Sequence, residues 1–425
     1  MCLLTAFGKS QSASCPSPIC GKIHIRDMKS RHLIAIVGGG PAGALAASRL
    51  AAAGRDVSVF DEKLAWEKPC GGGLTWKALQ QYPFLAEAGT LSKSVEHCEL
   101  ISPSGQRVRL RLQYPVAIFS RLALNGLILD RARSAGANVY RERVTSIAGS
   151  AGDWRLSTPH GAHRASYLVI AAGARNPFRR QFVPPISPDD LMATAGYFIP
   201  LHTSLMQIQF LTGISGYIWV FPRPDHVSAG IAGKMGETST HTLRHTLEQW
   251  LDHNGFSREG ATFYSHILPS LRAQTMEALQ VSGDGWSLVG DSAGLVDPIT
   301  GEGLSYALRS AELCAEALVA GQPQDYKQRL EEEVLPELRL AARVCERFYR
   351  GQVFGDSVPE LMIALTARSD KFRELMSDLF AGIQGYRDLK ARLYRILPTV
   401  MAEGLATTLF RPLSSGGFAP TTSAD

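Results

Sequence analysis

The sequence predicts an α/β protein with a Rossmann-like nucleotide-binding domain, an inserted antiparallel-sheet domain and a C-terminal helical region. A strand-like apolar run at 33–37 leads into a glycine-rich turn and an alanine-rich helical stretch. Residues 185–280 alternate in character and contain no nucleotide motif. A short strand at 286–289 then ends in Gly-Asp and precedes another helix. The first domain therefore resumes after the insertion, and its sheet is expected to be mostly parallel.

The turn at 38–43 reads Gly-Gly-Gly-Pro-Ala-Gly, which matches the GxGxxG dinucleotide fingerprint. Gly38 would allow the tight turn, Gly40 would let the backbone approach a pyrophosphate, and Gly43 would let the helix pack on the strand. A second predicted strand ends at Asp61, and an acid about 20 residues after the fingerprint is where a ribose hydroxyl is held. An Ala/Gly-rich βα unit with an incidental acid is the alternative.

Periodicity and turn residues predict the elements that follow. Residues 66–73 contain too much glycine for a helix or a central strand, and the sequence at 102–105 is typical of a hairpin turn. We expect a hairpin over 97–112, helices over 122–135, 240–254 and 304–320, and strands over 138–141, 143–146, 154–157, 167–171, 207–211, 217–221 and 227–231. The strands at 154–157 and 167–171, on either side of the His-Gly turn at 160–161, are expected to pair.

These elements divide the chain into five segments. We expect a disordered extension at 1–31, the nucleotide-binding domain at 32–184 and 281–325, a substrate-binding domain at 185–280, a C-terminal helical region at 326–410 and a disordered tail at 411–425. A start codon assigned too early is an alternative explanation of the extension.

Composition limits the functional class. The chain has 425 residues, 45% hydrophobic and 20% charged, as is ordinary for a globular protein. No apolar stretch approaches the ~18 residues of a membrane span. The formal net charge of +5 is small and dispersed, so no nucleic-acid partner is expected. The seven cysteines are odd in number and scattered, which favours a reducing, cytoplasmic location. Cys15 and Cys20 lack the close spacing of a zinc knuckle, so no metal site is expected.

A second glycine-rich region follows the insertion. Gly290-Asp291 ends a strand, and Pro-Ile-Thr-Gly-Glu-Gly at 298–303 precedes a helix that begins at Leu304. Asp291 can accept hydrogen bonds from sugar-type hydroxyls, and a glycine-flanked helix N-terminus can approach an anionic or electron-rich ring. A Gly-Asp turn with an ordinary helix cap is the alternative.

Together these segments resemble the FAD-dependent (p-hydroxybenzoate hydroxylase-like) flavoprotein superfamily, and within it the geranylgeranyl reductase family. The resemblance covers about residues 32–320. It rests on Cys-Gly-Gly-Gly at 70–73, on Tyr-Ile-Trp-Val-Phe-Pro at 217–222 and on the run at 290–304. It implies an FAD cofactor bound by Gly38, Gly40, Pro41, Ala42, Gly43, Asp61, Cys70, Gly71, Gly73, Arg121, Val144, Gly290, Asp291, Gly301, Gly303 and Leu304.

The resemblance implies an oxidoreductase that reduces isoprenoid C=C bonds by hydride transfer from reduced flavin. The substrate would be a geranylgeranyl or polyprenyl diphosphate, a prenylated lipid or a prenylated quinone. An FAD-dependent monooxygenase of an aromatic or polyketide-type substrate is the alternative on the same scaffold. A non-enzymatic flavin-binding protein is a further alternative.

The chain departs from the superfamily pattern at the position that bears on the electron donor. Hydroxylases of the superfamily usually carry Asp-Gly after the strand at 167–171, whereas this chain has Ala172-Gly173. The missing acid leaves both NAD(P)H and ferredoxin open as donors, the latter as a redox partner protein.

Tyr217, Trp219 and Phe221 alternate along a predicted strand and would therefore project from one face. Ordinary core is one interpretation, whereas the resemblance implies the wall of an isoprenoid-binding cavity. Cys70 is a candidate catalytic residue by resemblance, although an isolated thiol also serves as a small apolar filler.

Two basic patterns occur near the C-terminus. One is a helix face with Arg339, Arg343, Arg347 and Arg350. The other is an apolar stripe of Leu389, Leu393, Ile396, Leu397 and Val400 interleaved with Arg387, Lys390, Arg392 and Arg395. Such patterns usually mean one solvated face and one core face. Peripheral contact with a membrane, or binding of a diphosphate head group, is the alternative.

Overall fold

The computed structural model describes residues 33–87, 91–353 and 355–410. The predicted extension at 1–31 and tail at 411–425 lie outside the described residues. The strands are β1 (Ile34–Val37), β2 (Val57–Phe60), β3 (Gly73–Leu74), β4 (Ser92–Ile101), β5 (Arg107–Phe119), β6 (Asn138–Tyr140), β7 (Ser146–Ser150), β8 (Asp153–Thr158), β9 (Gly161–Ala165), β10 (Tyr167–Ile170), β11 (Leu191–Ile199), β12 (Leu205–Phe210), β13 (Gly216–Pro222), β14 (Val227–Lys234), β15 (Thr262–Pro269), β16 (Ser282–Gly283), β17 (Trp286–Leu288), β18 (Gln352–Val353) and β19 (Asp356–Ser357). The helices are α1 (Pro41–Ala52), α2 (Trp76–Gln81), α3 (Pro83–Glu87), α4 (Arg121–Ser134), α5 (Arg179–Phe182), α6 (Thr240–His253), α7 (Ala273–Glu277), α8 (Leu304–Val319), α9 (Asp325–Glu333), α10 (Leu335–Arg350), α11 (Val358–Arg368), α12 (Asp370–Ala381) and α13 (Tyr386–Phe410).

A six-stranded sheet with the order β16-β17-β10-β1-β2-β6 forms the nucleotide-binding part of the molecule. β1 pairs in parallel with β10 on one side and with β2 on the other, and β16 is an antiparallel edge. Every residue of β1, β2 and β10 is buried, as expected for parallel strands covered on both faces. α1 packs against α4 and α8. The predicted Rossmann-like α/β fold is confirmed.

β7, β8 and β9 form a three-stranded antiparallel sheet, which differs from one predicted strand pairing. β8 pairs with β9, whereas β10 lies beside β1 in the parallel sheet. The predicted pairing of 154–157 with 167–171 is therefore wrong, because an unpredicted strand follows the His-Gly turn and occupies the place beside β8. The strand predicted at 143–146 instead begins at Ser146, opposite Ser157.

The larger sheet has eight strands in the order β15-β11-β14-β13-β12-β4-β5-β3. The predicted strands at 207–211, 217–221 and 227–231 are present, whereas β11 and β15 were not predicted. β3, β4 and β5 also join this sheet, so it extends beyond the segment 185–280. One face packs against α6 through Ile218, Val220, Ile231, Leu243 and Leu247. The opposite face carries Trp219 and Tyr264.

The C-terminal region is helical, as predicted. α12 packs on β5, and α13 packs on α10, α11 and α12. Val400 of α13 is buried in a cluster with Ile363, Phe372 and Leu375. Within the described ranges, no helix is both long enough and apolar enough to cross a bilayer.

Candidate active site

The fingerprint glycines form the turn between β1 and α1. Gly38 has φ of +106°, and a Cβ there would lie 2.3 Å from the carbonyl oxygen of Ala171. A Cβ on Gly43 would lie 1.9 Å from the carbonyl oxygen of Gly38. Both positions therefore need glycine for the helix to approach the sheet. Apart from its chain neighbours, no residue in the described part of the chain has an atom within 4 Å of the Gly40 Cβ position, so its backbone borders open space at the N-terminus of α1.

Asp61 follows β2 and orders the turn beyond it. Its Oδ2 accepts a hydrogen bond from the Gly39 N–H at 2.7 Å, and its Oδ1 accepts from Lys63 and Leu64 at 2.8 and 2.7 Å. A carboxylate offers about four acceptor positions, so Asp61 retains capacity for a sugar hydroxyl. Val144 is buried in the connection after β6, the strand that pairs with β2.

The glycine loop at 70–73 packs against the aromatic strand β13. A Cβ on Gly71 would lie 2.6 Å from the Phe221 ring. Gly72 has φ of +85°, and a Cβ there would lie 2.3 Å from the carbonyl oxygen of Phe119. Cys70 is half-buried, and its Sγ accepts the Gly72 N–H at 3.3 Å. The loop main chain therefore approaches the larger sheet more closely than side chains would allow.

A partly buried ion pair that was not predicted from the sequence fixes this loop. The fully buried Arg223 side chain donates to Glu67 Oε1 and to the carbonyl of Cys70. Glu67 also accepts from Ser120 Oγ at 2.5 Å and from the Arg121 N–H at 2.8 Å. Burial would raise the pKa of Glu67, but Arg223 and these hydrogen bonds hold it below its ordinary value. The pair links the glycine loop, the start of α4 and the end of β13.

The early and late motifs meet in the structure. A Cβ on Gly290 would lie 3.3 Å from the Cβ of Ala42, so the late glycine turn lies against α1. Asp291 Oδ2 pairs with Lys68 Nζ at 3.3 Å. Burial would raise the pKa of Asp291, but Lys68 and Arg121 hold it below its ordinary value. Arg121 is 3% exposed, and its Nε has no partner in the described part of the chain.

His266 on β15 is a site residue that the sequence did not reveal. Its Nε2 is buried and has no hydrogen-bond partner within the described ranges. Burial lowers the pKa of His266 to about 3, and Lys68 and Arg121 act in the same direction while Asp291 opposes them. The imidazole is therefore neutral at physiological pH. His266 and Tyr264 are two residues apart on β15, so their side chains project from the same face of the sheet. A prediction of β15 from the sequence would therefore have placed His266 on the aromatic face.

Three tyrosines hold the loop at 297–300, which precedes α8. Their hydroxyls donate as follows: Tyr217 to the carbonyl of Thr300, Tyr349 to the carbonyl of Ile299 at 2.5 Å, and Tyr386 to Oδ2 of Asp297 at 2.7 Å. Tyr349 lies on α10 and Tyr386 begins α13. The C-terminal helices therefore take part in the site, although the sequence resemblance ends at about residue 320.

The start of α8 completes this side of the site. Gly303 is the N-cap residue, and Leu304 is buried. Glu302 Oε1 accepts the N–H of Ser305 at 2.8 Å, and burial raises the pKa of Glu302 to about 7. A Cβ on Gly301 would lie 2.7 Å from the Tyr217 hydroxyl, so the loop and β13 are in close contact.

The predicted aromatic residues share one face of the larger sheet. Trp219 is buried and fills the space left by Gly230, whose Cβ position lies 2.2 Å from the indole ring. Tyr217 and Phe221 are half-buried, and they reach the loop at 297–300 and the loop at 70–73 respectively. This face therefore closes over both glycine-rich loops.

We expect Tyr386→Phe to lower the free energy of unfolding by about 1–3 kcal/mol, because the buried carboxylate of Asp297 loses a hydrogen bond. Urea unfolding of the purified protein measures this change. Tyr394→Phe is the matched control, since Tyr394 lies on the same helix and is 66% exposed. Equal unfolding midpoints for the two variants would contradict a structural role for the Tyr386 hydroxyl.

The residues that meet here fit FAD. The open backbone at Gly40 and the N-terminus of α1 suit a diphosphate. The Nε of Arg121, which has no partner among the residues that the structure describes, and the ammonium of Lys68 add positive charge. Asp61 and Asp291 supply acceptors for sugar-type hydroxyls.

Parts of the chain are similar in sequence to known proteins. Residues 36–84 match the model of the NAD(P)-binding Rossmann-like domain family. Menaquinone reductase of Mycobacterium tuberculosis is 29% identical over 322 residues, which cover 67% of this chain and 76% of the relative. Geranylgeranyl diphosphate reductase of Synechocystis is 27% identical over 320 residues, covering 68% and 75%.

Two solved structures share the fold. A geranylgeranyl bacteriochlorophyll reductase-like protein from Thermoplasma acidophilum superposes with a TM-score of 0.69 at 18% identity, covering 86% of this chain and 99% of the other. The flavin-dependent brominase Bmp2 superposes with a TM-score of 0.65 at 17% identity, covering 86% and 99%. At these identities the structural matches concern the fold alone.

Proposed function

The chain is a relative of the geranylgeranyl reductases within the FAD-dependent flavoprotein superfamily, and from this premise we propose that it reduces isoprenoid C=C bonds. The substrate class is a geranylgeranyl or polyprenyl diphosphate, a prenylated lipid or a prenylated quinone. One observation carries the proposal: the GxGxxG turn, Asp291 and the loop at 70–73 converge beneath an aromatic sheet face.

This convergence supports the following assignment of FAD contacts. Gly40 and the N-terminus of α1 would take the diphosphate, Asp61 the adenosine ribose and Asp291 the ribityl chain. The loop at 70–73 and the start of α8 would border the isoalloxazine. Bound and reduced, FAD supplies the hydride that the alkene receives.

The protein's own side chains orient the substrate and exclude water. The aromatic face of Tyr217, Trp219 and Phe221 offers an apolar surface for an isoprenoid chain, and the half-buried rings lie next to the two glycine loops. The second alkene carbon requires a proton. The thiol of Cys70, at the start of the glycine loop, is our candidate to deliver it.

The electron donor is NAD(P)H or a ferredoxin-type redox partner protein. The superfamily acid is replaced by Ala172, which supports the second of these. We place the protein in the cytoplasm, in contact with a membrane surface.

Anaerobic enzyme that has been photoreduced is expected to be reoxidised by geranylgeranyl compounds, because the alkene is the hydride acceptor. Mass spectrometry should detect two added hydrogen atoms for each reduced bond, and enzyme that has not been photoreduced is the control. Failure of every geranylgeranyl diphosphate, lipid and quinone to reoxidise the flavin would overturn the proposal.

The same preparation tests the monooxygenase alternative. A stabilised hydroperoxide-type absorbance on mixing with oxygen, followed by a product with an added oxygen atom, would replace the reductase assignment. If the protein is a reductase, we expect oxygen to reoxidise the flavin rapidly without a hydroperoxide-type species.

A further inference from the structure

The outward face of α13 is apolar although it lies on the surface. Tyr394, Leu397 and Met401 are 66%, 49% and 57% exposed, and Leu393 beside them is 38% exposed. The opposite side of the same helix is core, since Val400 is only 2% exposed. The apolar stripe predicted from the sequence therefore divides between two faces, and one of them faces solvent.

These exposed side chains are contiguous. Tyr394, Leu397 and Met401 follow one another at intervals of three and four residues, which places them in one row along an α-helix, and Lys390 lies about one turn before Tyr394. Lys390 Nζ lies 5.8 Å from the centroid of the Tyr394 ring. A continuous exposed apolar row is unusual on a monomeric globular protein and marks an interaction surface.

The charge around this row is positive. Residues 387–401 contain four basic residues and one acid. Lys390 and Arg395 are exposed beside the apolar row, whereas Arg392 is turned inward to pair with Asp378 at 2.6 Å. An amphipathic helix with basic and apolar side chains on its outer face has complementary chemistry to an anionic bilayer surface.

The second basic helix face, on α10, differs from α13 because most of its positive charges are paired. The α10 arginines are mostly engaged with carboxylates: Arg339 with Glu331 and Glu277, Arg343 with Glu277, and Arg350 with Glu237. That face is therefore an ion-paired solvated surface, which leaves α13 as the stronger site for an anionic partner.

The geometry points to the outer face of α13, defined by Lys390, Leu393, Tyr394, Arg395, Leu397 and Met401, as a docking surface for an anionic lipid bilayer. The choice of a bilayer rests on the proposed function, whose candidate substrates all carry an apolar isoprenoid chain. α13 begins at Tyr386, which binds the loop at 297–300, so docking would bring that side of the site to the membrane. Leu397 is only about 16 Å along the helix from Tyr386.

Co-sedimentation of the FAD-loaded full chain with vesicles tests this inference without any need for turnover. We expect binding to phosphatidylcholine vesicles that contain phosphatidylglycerol, weaker binding to phosphatidylcholine alone, and weakening by salt. Lys390→Glu/Arg395→Glu should reduce binding at least about tenfold. Tyr394→Gln/Leu397→Gln should reduce it as well, because the apolar contact is lost.

Two matched control variants carry the same kinds of substitution at positions outside α13. Arg155→Glu/Lys327→Glu makes the same charge change at exposed positions on β8 and α9. Val319→Gln/Val344→Gln makes the same kind of polar change at valines that are 38% and 40% exposed. Both controls should bind as the parent does, and an unchanged flavin spectrum in every variant shows that folding is intact.

Three outcomes would overturn the inference. They are a parent protein that stays in the supernatant with anionic vesicles, controls that lose binding as much as the α13 variants, and an α13 variant that changes only the oligomeric state in light scattering. The last outcome would identify a second copy of the chain as the occupant. Vesicle binding without alkene reduction would instead count against the proposed reaction alone.

Discussion

Arg223→Ala is expected to remove FAD-dependent activity and to lower the free energy of unfolding by about 3 kcal/mol or more. The substitution leaves the Glu67 carboxylate half-buried without its cation and leaves the Cys70 carbonyl without its guanidinium donor. The glycine loop and the start of α4 then lose their common anchor. Bound flavin, measured by absorbance after gel filtration, should fall together with the urea midpoint.

Two further variants make this result specific. Arg164→Ala breaks an ion pair whose side chains are 67% and 64% exposed, and its cost should stay within about 1 kcal/mol. Arg223→Lys keeps the charge but not the fork that reaches two acceptors, so it should fold and yet bind FAD more weakly than the parent. If Arg223→Lys binds FAD with unchanged affinity, the ion pair does not position the loop.

The parts of the fold that the sequence predicts well are local. β1, the turn and α1 are consecutive, and the packing that requires Gly43 is a contact with Gly38, five positions away. Residue alternation likewise places Tyr217, Trp219 and Phe221 on one face whatever the strand pairs with. These features depend on spacing along one segment, and spacing is what a single sequence displays.

The residues that the sequence did not reveal depend on pairings between distant segments. Glu67 and Arg223 are separated by 156 positions, and Tyr386 and Asp297 by 89. A charged residue after an aromatic strand is usually an exposed strand end, so Arg223 gave no signal of being buried. The mistaken pairing of β8 with β10 has the same origin, because strand periodicity does not specify which strand is the neighbour.

Gly40→Ala is expected to lower FAD affinity at least about tenfold while leaving the apoprotein as stable as the parent to within about 0.5 kcal/mol. Among the described residues, none beyond the chain neighbours lies within 4 Å of the new methyl group, and the φ of Gly40 is −67°, so the folded chain accepts it. The methyl group would instead occupy space that a diphosphate needs to approach the backbone. Titration of apoprotein with FAD, followed by flavin fluorescence, measures the affinity.

Comparison with two other glycines separates cofactor binding from folding. Gly43→Ala would place a Cβ 1.9 Å from a backbone oxygen, so it should lower stability as well as FAD affinity. Gly126→Ala in α4 would place a Cβ 3.9 Å from the Cβ of Ala65, an ordinary contact, and should be neutral or stabilising by up to about 1 kcal/mol with unchanged FAD affinity. If Gly40→Ala binds FAD as Gly126→Ala does, the open space at the start of α1 does not hold the diphosphate. The cofactor would then have to reach Asp291 and Arg121 by another path, and the convergence of the two glycine motifs would no longer support the proposed reaction.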